Sequence, residues 1–183
     1  MNLNLTELLK IENPCGKMIA IHCVIEDLIS DFISLSLMQP DYLEKLHLSH
    51  MDRVNLAMAL GLSPDIYKPL KAIATIRNKF AHQLDKNIDK SMINEFFKSF
   101  PSKGKDCIFS KDYILNMGKE LNVFGFSEGK TWKKLESDDQ FILLIISLCY
   151  FLKHEIDKYQ FKKEIEQKDI QLGRQYLTIS ANK

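Results

Sequence analysis

Between residues 17 and 38, apolar side chains fall at Ile21, Val24, Ile25, Leu28, Ile29, Phe32 and Leu35. Steps of three and four mark one face of a helix, so a helix is expected over Lys17–Met38. A shorter amphipathic segment at 3–11 precedes it, and Asn13-Pro14-Cys15-Gly16 reads as the stop between them. Gln39-Pro40-Asp41 ends the long helix, and Asp41-Tyr42-Leu43-Glu44 can begin a short helical turn. Ser49-His50-Met51-Asp52 is a capping-box variant that opens a helix to Leu60, with Gly61 placed as its C′ residue.

Ser63-Pro64-Asp65 supplies an N-cap, a proline for the first helical position and an acid near the positive end of the helix dipole. The helix that follows reaches about His82, and Pro69 should kink it or move its effective start. The polar stretch 83–90 is a loop, and 91–100 (SMINEFFKSF) is a further helix. Residues 101–136 hold four of the seven glycines and the only tryptophan, Trp132; a short helix near 110–121 and an irregular crossover are expected there. Ser137-Asp138-Asp139 starts a long helix through Phe161 or as far as Gln171. Every element is helical. The expected architecture is a single all-α domain over 1–171, followed by a tail, 172–183, that is frayed or swapped.

Composition narrows this picture without changing it. Seven glycines and five prolines in 183 residues are too few for a turn-rich all-β fold. Cys15, Cys23, Cys107 and Cys149 are scattered without a CxxC pair, the pattern of reduced thiols and not of a disulfide framework. The first residues lack a basic stretch followed by an apolar core, so no signal peptide is expected. The longest apolar run, FILLIISLCYFL at 141–152, is too short to span a bilayer and reads as a buried helix. A cytoplasmic protein without a membrane partner is the expectation. Net charge is +1, which sets aside nucleic-acid binding by bulk charge and leaves only a local patch.

Of the 25 basic residues only Arg53, Arg77 and Arg174 are arginines, which makes their positions informative. The apolar stripe of the helix ending near His82 is Ile66, Leu70, Ile73, Phe80 and Leu84, and the position it leaves open is 77. A guanidinium on a buried face is costly unless paired, so Arg77 needs a carboxylate, a phosphate or a wet cleft. Glu26 and Asp27 are its natural partners within the chain. His82 stands about 7.5 Å further along the axis and about 140° around it, so one helix does not easily aim both side chains at one point; a long arginine can still reach towards the last turn, and a second copy of the helix across a two-fold axis could complete the site.

Arg77-Asn78-Lys79-Phe80-Ala81-His82 resembles the R-x4-6-H motif of the HEPN superfamily. The wider stretch, from Val24-Ile25-Glu26-Asp27-Leu28 through Arg53–Leu62 to His82, looks like the mannitol operon repressor branch, over about residues 18–100. The resemblance implies an up-and-down bundle of four to five helices that dimerises with its two motifs facing each other. It also implies metal-independent RNA cleavage in the catalytic members, or regulation through protein partners in the repressor branch. No cofactor and no metal are expected.

Those residue types suit the reaction. Cleavage by 2′-OH attack needs a base, an acid for the leaving 5′-oxygen and fixed positive charge on the phosphorane. His82 would serve as base or acid, Arg77 would clamp the phosphate, and Asn78 would donate a hydrogen bond to it. Glu26 and Asp27 would orient Arg77. The products would be a 2′,3′-cyclic phosphate and a 5′-hydroxyl. Toxin members controlled by a nucleotidyltransferase antitoxin carry a tyrosine two residues after the histidine; here that position is Leu84. An antitoxin or regulatory protein thus remains a possible partner, without that particular control.

Three other patterns are set aside. Gly125-Phe126-Ser127-Glu128-Gly129-Lys130-Thr131 has three residues between its glycines where a P-loop needs four. His47-Leu48-Ser49-His50, even with Asp52, has too few ligands for a metal site. Ala57–Tyr67 imitates a helix-turn-helix, but Pro64, Asp65 and Ile66 are poor residues for reading bases.

Overall fold

Asn13 accepts a hydrogen bond from the Gly16 amide at 2.8 Å, and Pro14 occupies the first turn, where no backbone N–H is needed. The four residues expected to stop a preceding segment therefore start a helix, α1, Pro14–Ser36. The computed structural model describes residues 11–82, 87–101 and 132–181. The helices expected at 3–11 and 110–121, Leu84, Cys107 and the glycine-flanked segment 125–131 lie outside these residues.

Among the described residues every element is helical, as expected of an all-α chain. Beyond α1 come α2 (His50–Ala59), α3 (Tyr67–His82), α4 (Lys90–Ser99) and α5 (Ser137–Ala181), with short 3-10 turns at Pro40–Tyr42, Glu44–Leu46, Pro64–Ile66 and Trp132–Lys134. Helix α1 is central and packs against α2, α3 and α5, while α4 bridges α3 and α5. The face Met18, Ile21, Ile25, Leu28, Ile29, Phe32 and Ile33 enters a single buried cluster shared by all five helices.

The ends of α2 follow from its sequence. The Asp52 amide donates to Ser49 Oγ at 3.3 Å and the Ser49 amide donates to the Asp52 carboxylate at 3.1 Å, a reciprocal capping box. At the other end Gly61 takes φ 103°. Its amide donates to the Met58 carbonyl at 3.1 Å and the Leu62 amide to that of Ala57 at 3.0 Å, the paired bonds of a Schellman motif. The chain then turns at Ser63, passes through the 3-10 turn and enters α3. Pro69 sits in the first turn of α3, so it sets the effective start of that helix.

The arrangement of α1 and α2 departs from strict up-and-down alternation. His50 meets His22 and Glu26, and one turn later Arg53 Nη1 donates to Ser30 Oγ at 2.9 Å. Leu60 and Gly61 then share a groove of about 630 Å³ with Phe32. The pairs advance together along both helices, so α1 and α2 run in the same sense, and residues 37–49 carry the chain back between them.

Helix α5 is buried on all sides from Phe141 to Cys149. Ser147 Oγ satisfies itself there by donating to the Leu143 carbonyl at 2.8 Å. The helix does not stop near 161 or 171 but runs to Ala181, about 68 Å at 1.5 Å per residue. Its second half carries exposed Phe161, Ile165 and Ile170. No helix among the described residues is long and apolar enough to cross a membrane.

Candidate functional site

Helix α3 buries Ile66 just before its start, then Leu70, Ile73, Ile76 and Phe80. Ile76 holds the place on the seam expected for position 77. Arg77, one residue on and about 100° around the helix, is exposed, contrary to that expectation. Its Nη1 donates to Asn78 Oδ1 at 3.1 Å, and Asn78 is exposed beside it. A guanidinium and an amide therefore stand together on an accessible face of α3. His82 closes the helix; its side chain lies outside what the structure describes.

Glu26 and Asp27 do not pair with Arg77 among the described residues. Asp27 is exposed. Glu26 instead turns one carboxylate oxygen to two imidazoles: Oε1 lies 3.3 Å from His22 Nε2 and 3.3 Å from His50 Nδ1. His22 and Glu26 are four residues apart on α1 and share a face, while His50 is the first residue of α2. The two imidazole side chains are each about nine-tenths buried, and the Glu26 side chain is 35% exposed, leaving one open flank. The rings stand 4.6 Å apart between centroids, tilted by 42°.

The pKa of His22 is lowered from its ordinary value. Burial is the first cause, His50 the next, and the positive charge of Arg77 also contributes, against an opposing pull from Glu26. Arg77 thus acts on the α1–α2 cluster from α3 by charge. His22 and His50 were not among the residues singled out from the sequence for catalysis. The signal available was the i, i+4 pair His22–Glu26, with His22 beside Ile21 and Ile25 on an otherwise apolar face. His47 and His50 do not act together: His47 is exposed in a left-handed turn at φ 36°, while His50 faces α1.

Among the described residues the cysteines form no disulfide. Cys15 and Cys23 are free, and burial pushes the thiol of Cys149 up to about 12, which keeps it protonated and inert.

No family model matches the chain, and neither a curated protein nor a solved structure does.

Proposed function

We propose that the chain is a HEPN-type, metal-independent endoribonuclease acting as a homodimer. The observation that carries this reading is the exposed Arg77–Asn78 pair on α3, next to the His22–Glu26–His50 cluster. An exposed guanidinium with an adjoining amide is free to take a phosphate, which a buried one held in an ion pair is not. In this reading Arg77 clamps the scissile phosphate and Asn78 donates to it. His82, at the end of the same helix, moves the proton of the 2′-OH or of the leaving 5′-oxygen. The second copy of α3 supplies the matching groups across a two-fold axis.

Single-stranded RNA should be cut in EDTA to a 2′,3′-cyclic phosphate and a 5′-hydroxyl. His82→Ala should abolish the cut in a chain that stays folded, and cleavage at the wild-type rate by that variant would overturn the assignment.

A second reading rests on a separate observation. Phe161 and Ile170 on the projecting half of α5 are 64% and 56% exposed, suited to a protein partner. A non-enzymatic transcriptional regulator of the mannitol operon repressor kind would use such a surface. A stoichiometric protein partner bound equally by wild type and Arg77→Ala, without RNA cleavage, would favour it.

A further inference from the structure

We propose that His22, Glu26 and His50 form a binding site for a divalent late first-row transition ion, with Zn²⁺ the best fit. The donors are the first argument. Two imidazoles and one carboxylate are a known three-ligand set for Zn²⁺ that leaves a fourth position open. Imidazole donors select such ions, whereas Ca²⁺ and Mg²⁺ require oxygen shells that the cluster lacks.

The spacing is the second argument. Ligands about 2.0–2.1 Å from a tetrahedral ion stand about 3.3 Å from one another. Glu26 Oε1 is 3.3 Å from a nitrogen of each histidine, and one ligand atom from each of the three residues lies within 4.8 Å of the others. Two of the three separations thus already match those that one ion would impose, and the third, between the imidazoles, is within 4.8 Å.

The third argument is what the nitrogens lack. His22 Nδ1 and both ring nitrogens of His50 are buried without a hydrogen-bond partner. At 3.3 Å from Glu26, His50 Nδ1 is near enough to be attracted but is not aligned as a donor. Buried polar nitrogens are normally satisfied, and three unsatisfied ones in a single cluster are unusual. An ion held by His22 Nε2 and His50 Nδ1, the nitrogens nearest Glu26, would give one of these three a partner and would account for both rings facing the same carboxylate oxygen.

The surrounding fold holds the ligands in place. His22 and Glu26 are successive turns of the central helix, and the Ser49–Asp52 capping box sets the first turn of α2, where His50 sits. The Arg53–Ser30 hydrogen bond ties the same two helices one turn further on. The open flank lies at Glu26, where a water or an anion could complete the coordination.

The test uses the full chain, stripped with EDTA, exchanged into chelator-free buffer and titrated with Co²⁺ followed by Zn²⁺. One Co²⁺ per chain should bind, with the visible bands of a tetrahedral nitrogen–oxygen site and no thiolate charge-transfer band, and Zn²⁺ should displace it. His22→Gln and His50→Gln should each weaken Co²⁺ by about 100-fold or more, at or beyond the upper end of the loss that follows removal of a ligand's outer hydrogen-bond partner. Cys15→Ser and Cys23→Ser should leave binding unchanged. Absence of saturable binding by wild type, or equal binding by the two histidine variants, would overturn the site. Should those variants fail to fold, imidazole ¹⁵N shifts of wild type decide the question. Zn²⁺ should move His22 and His50; movement confined to His47 or His154 would refute the proposal. RNA cleavage is read separately in EDTA, so failure of the nuclease reading and failure of the metal site are distinguishable.

Discussion

His22 and His50 stand ring to ring at 4.6 Å, with a single Glu26 oxygen 3.3 Å from each. Neither residue is near the other in sequence, and their meeting depends on α1 and α2 running in the same sense. The α1–α2 seam therefore gathers titratable groups on the central helix, within electrostatic reach of Arg77 on α3.

Arg77→Ala should separate folding from function. The side chain is exposed and its hydrogen bond is to a neighbouring exposed residue, so stability should change by no more than about 0.5 kcal/mol. Its charge, however, helps to hold the pKa of His22 down. Removing it should raise that pKa, measured by NMR titration of the imidazole in metal-free protein. If Arg77 clamps phosphate, RNA cleavage should fall while the thermal midpoint stays in place.

Metal-free protein should lose stability as pH falls below about 6.5, the unfolded value of a histidine. The folded pKa of His22 lies below that, because burial, His50 and the charge of Arg77 together outweigh the opposing pull of Glu26. In the interval between the two values the unfolded state binds more protons, so unfolding becomes easier on acidification. Below the folded value the loss levels off. Urea midpoints at a series of pH values should show this slope in wild type. His22→Gln, which has no proton to take up, should flatten it.

The sequence carries some of these features openly and hides others. Periodicity sufficed for α1, α3 and α4, because each buries one face in steps of three and four. The caps of α2 were equally legible, since Ser49, Asp52 and Gly61 act on backbone groups within a few residues. Asn13-Pro14 is ambiguous in sequence, because a proline that cannot continue one helix is equally suited to the first turn of another. The orientation of Arg77 is ambiguous by one residue in sequence: Ile76 and Arg77 adjoin, and a stripe that skips from Ile73 to Phe80 fits either of them inward. The His22–Glu26–His50 cluster was hidden for a different reason. Its spacing is set by the path of 37–49 and the direction of α2, neither of which leaves a local trace.

Gly61→Ala should destabilise the chain through the backbone alone. The residue has φ 103°, and a Cβ built there meets no atom within 4 Å, so no clash contributes. The expected loss is about 1–2 kcal/mol, the cost of holding an L-residue in left-handed geometry. Gly61→Asn should cost less, because asparagine tolerates that region better. Equal losses for alanine and asparagine in chemical denaturation would show that the Schellman turn had rearranged instead.

Ser49→Ala tests the link between a helix cap and the cluster it positions. The substitution removes the acceptor for the Asp52 amide and the hydroxyl that donates to the Asp52 carboxylate at 2.6 Å. Loss of such a cap costs about 1 kcal/mol, which a urea titration resolves. His50 is the next residue and the first of the helix that this cap opens. A frayed first turn would let its ring leave Glu26, so Co²⁺ affinity should fall as well. Ser49→Asp restores a capping side chain but places a second carboxylate beside Asp52, so it should recover only part of the stability. Recovery of stability without recovery of Co²⁺ binding would separate the cap's contribution to α2 from its control of His50.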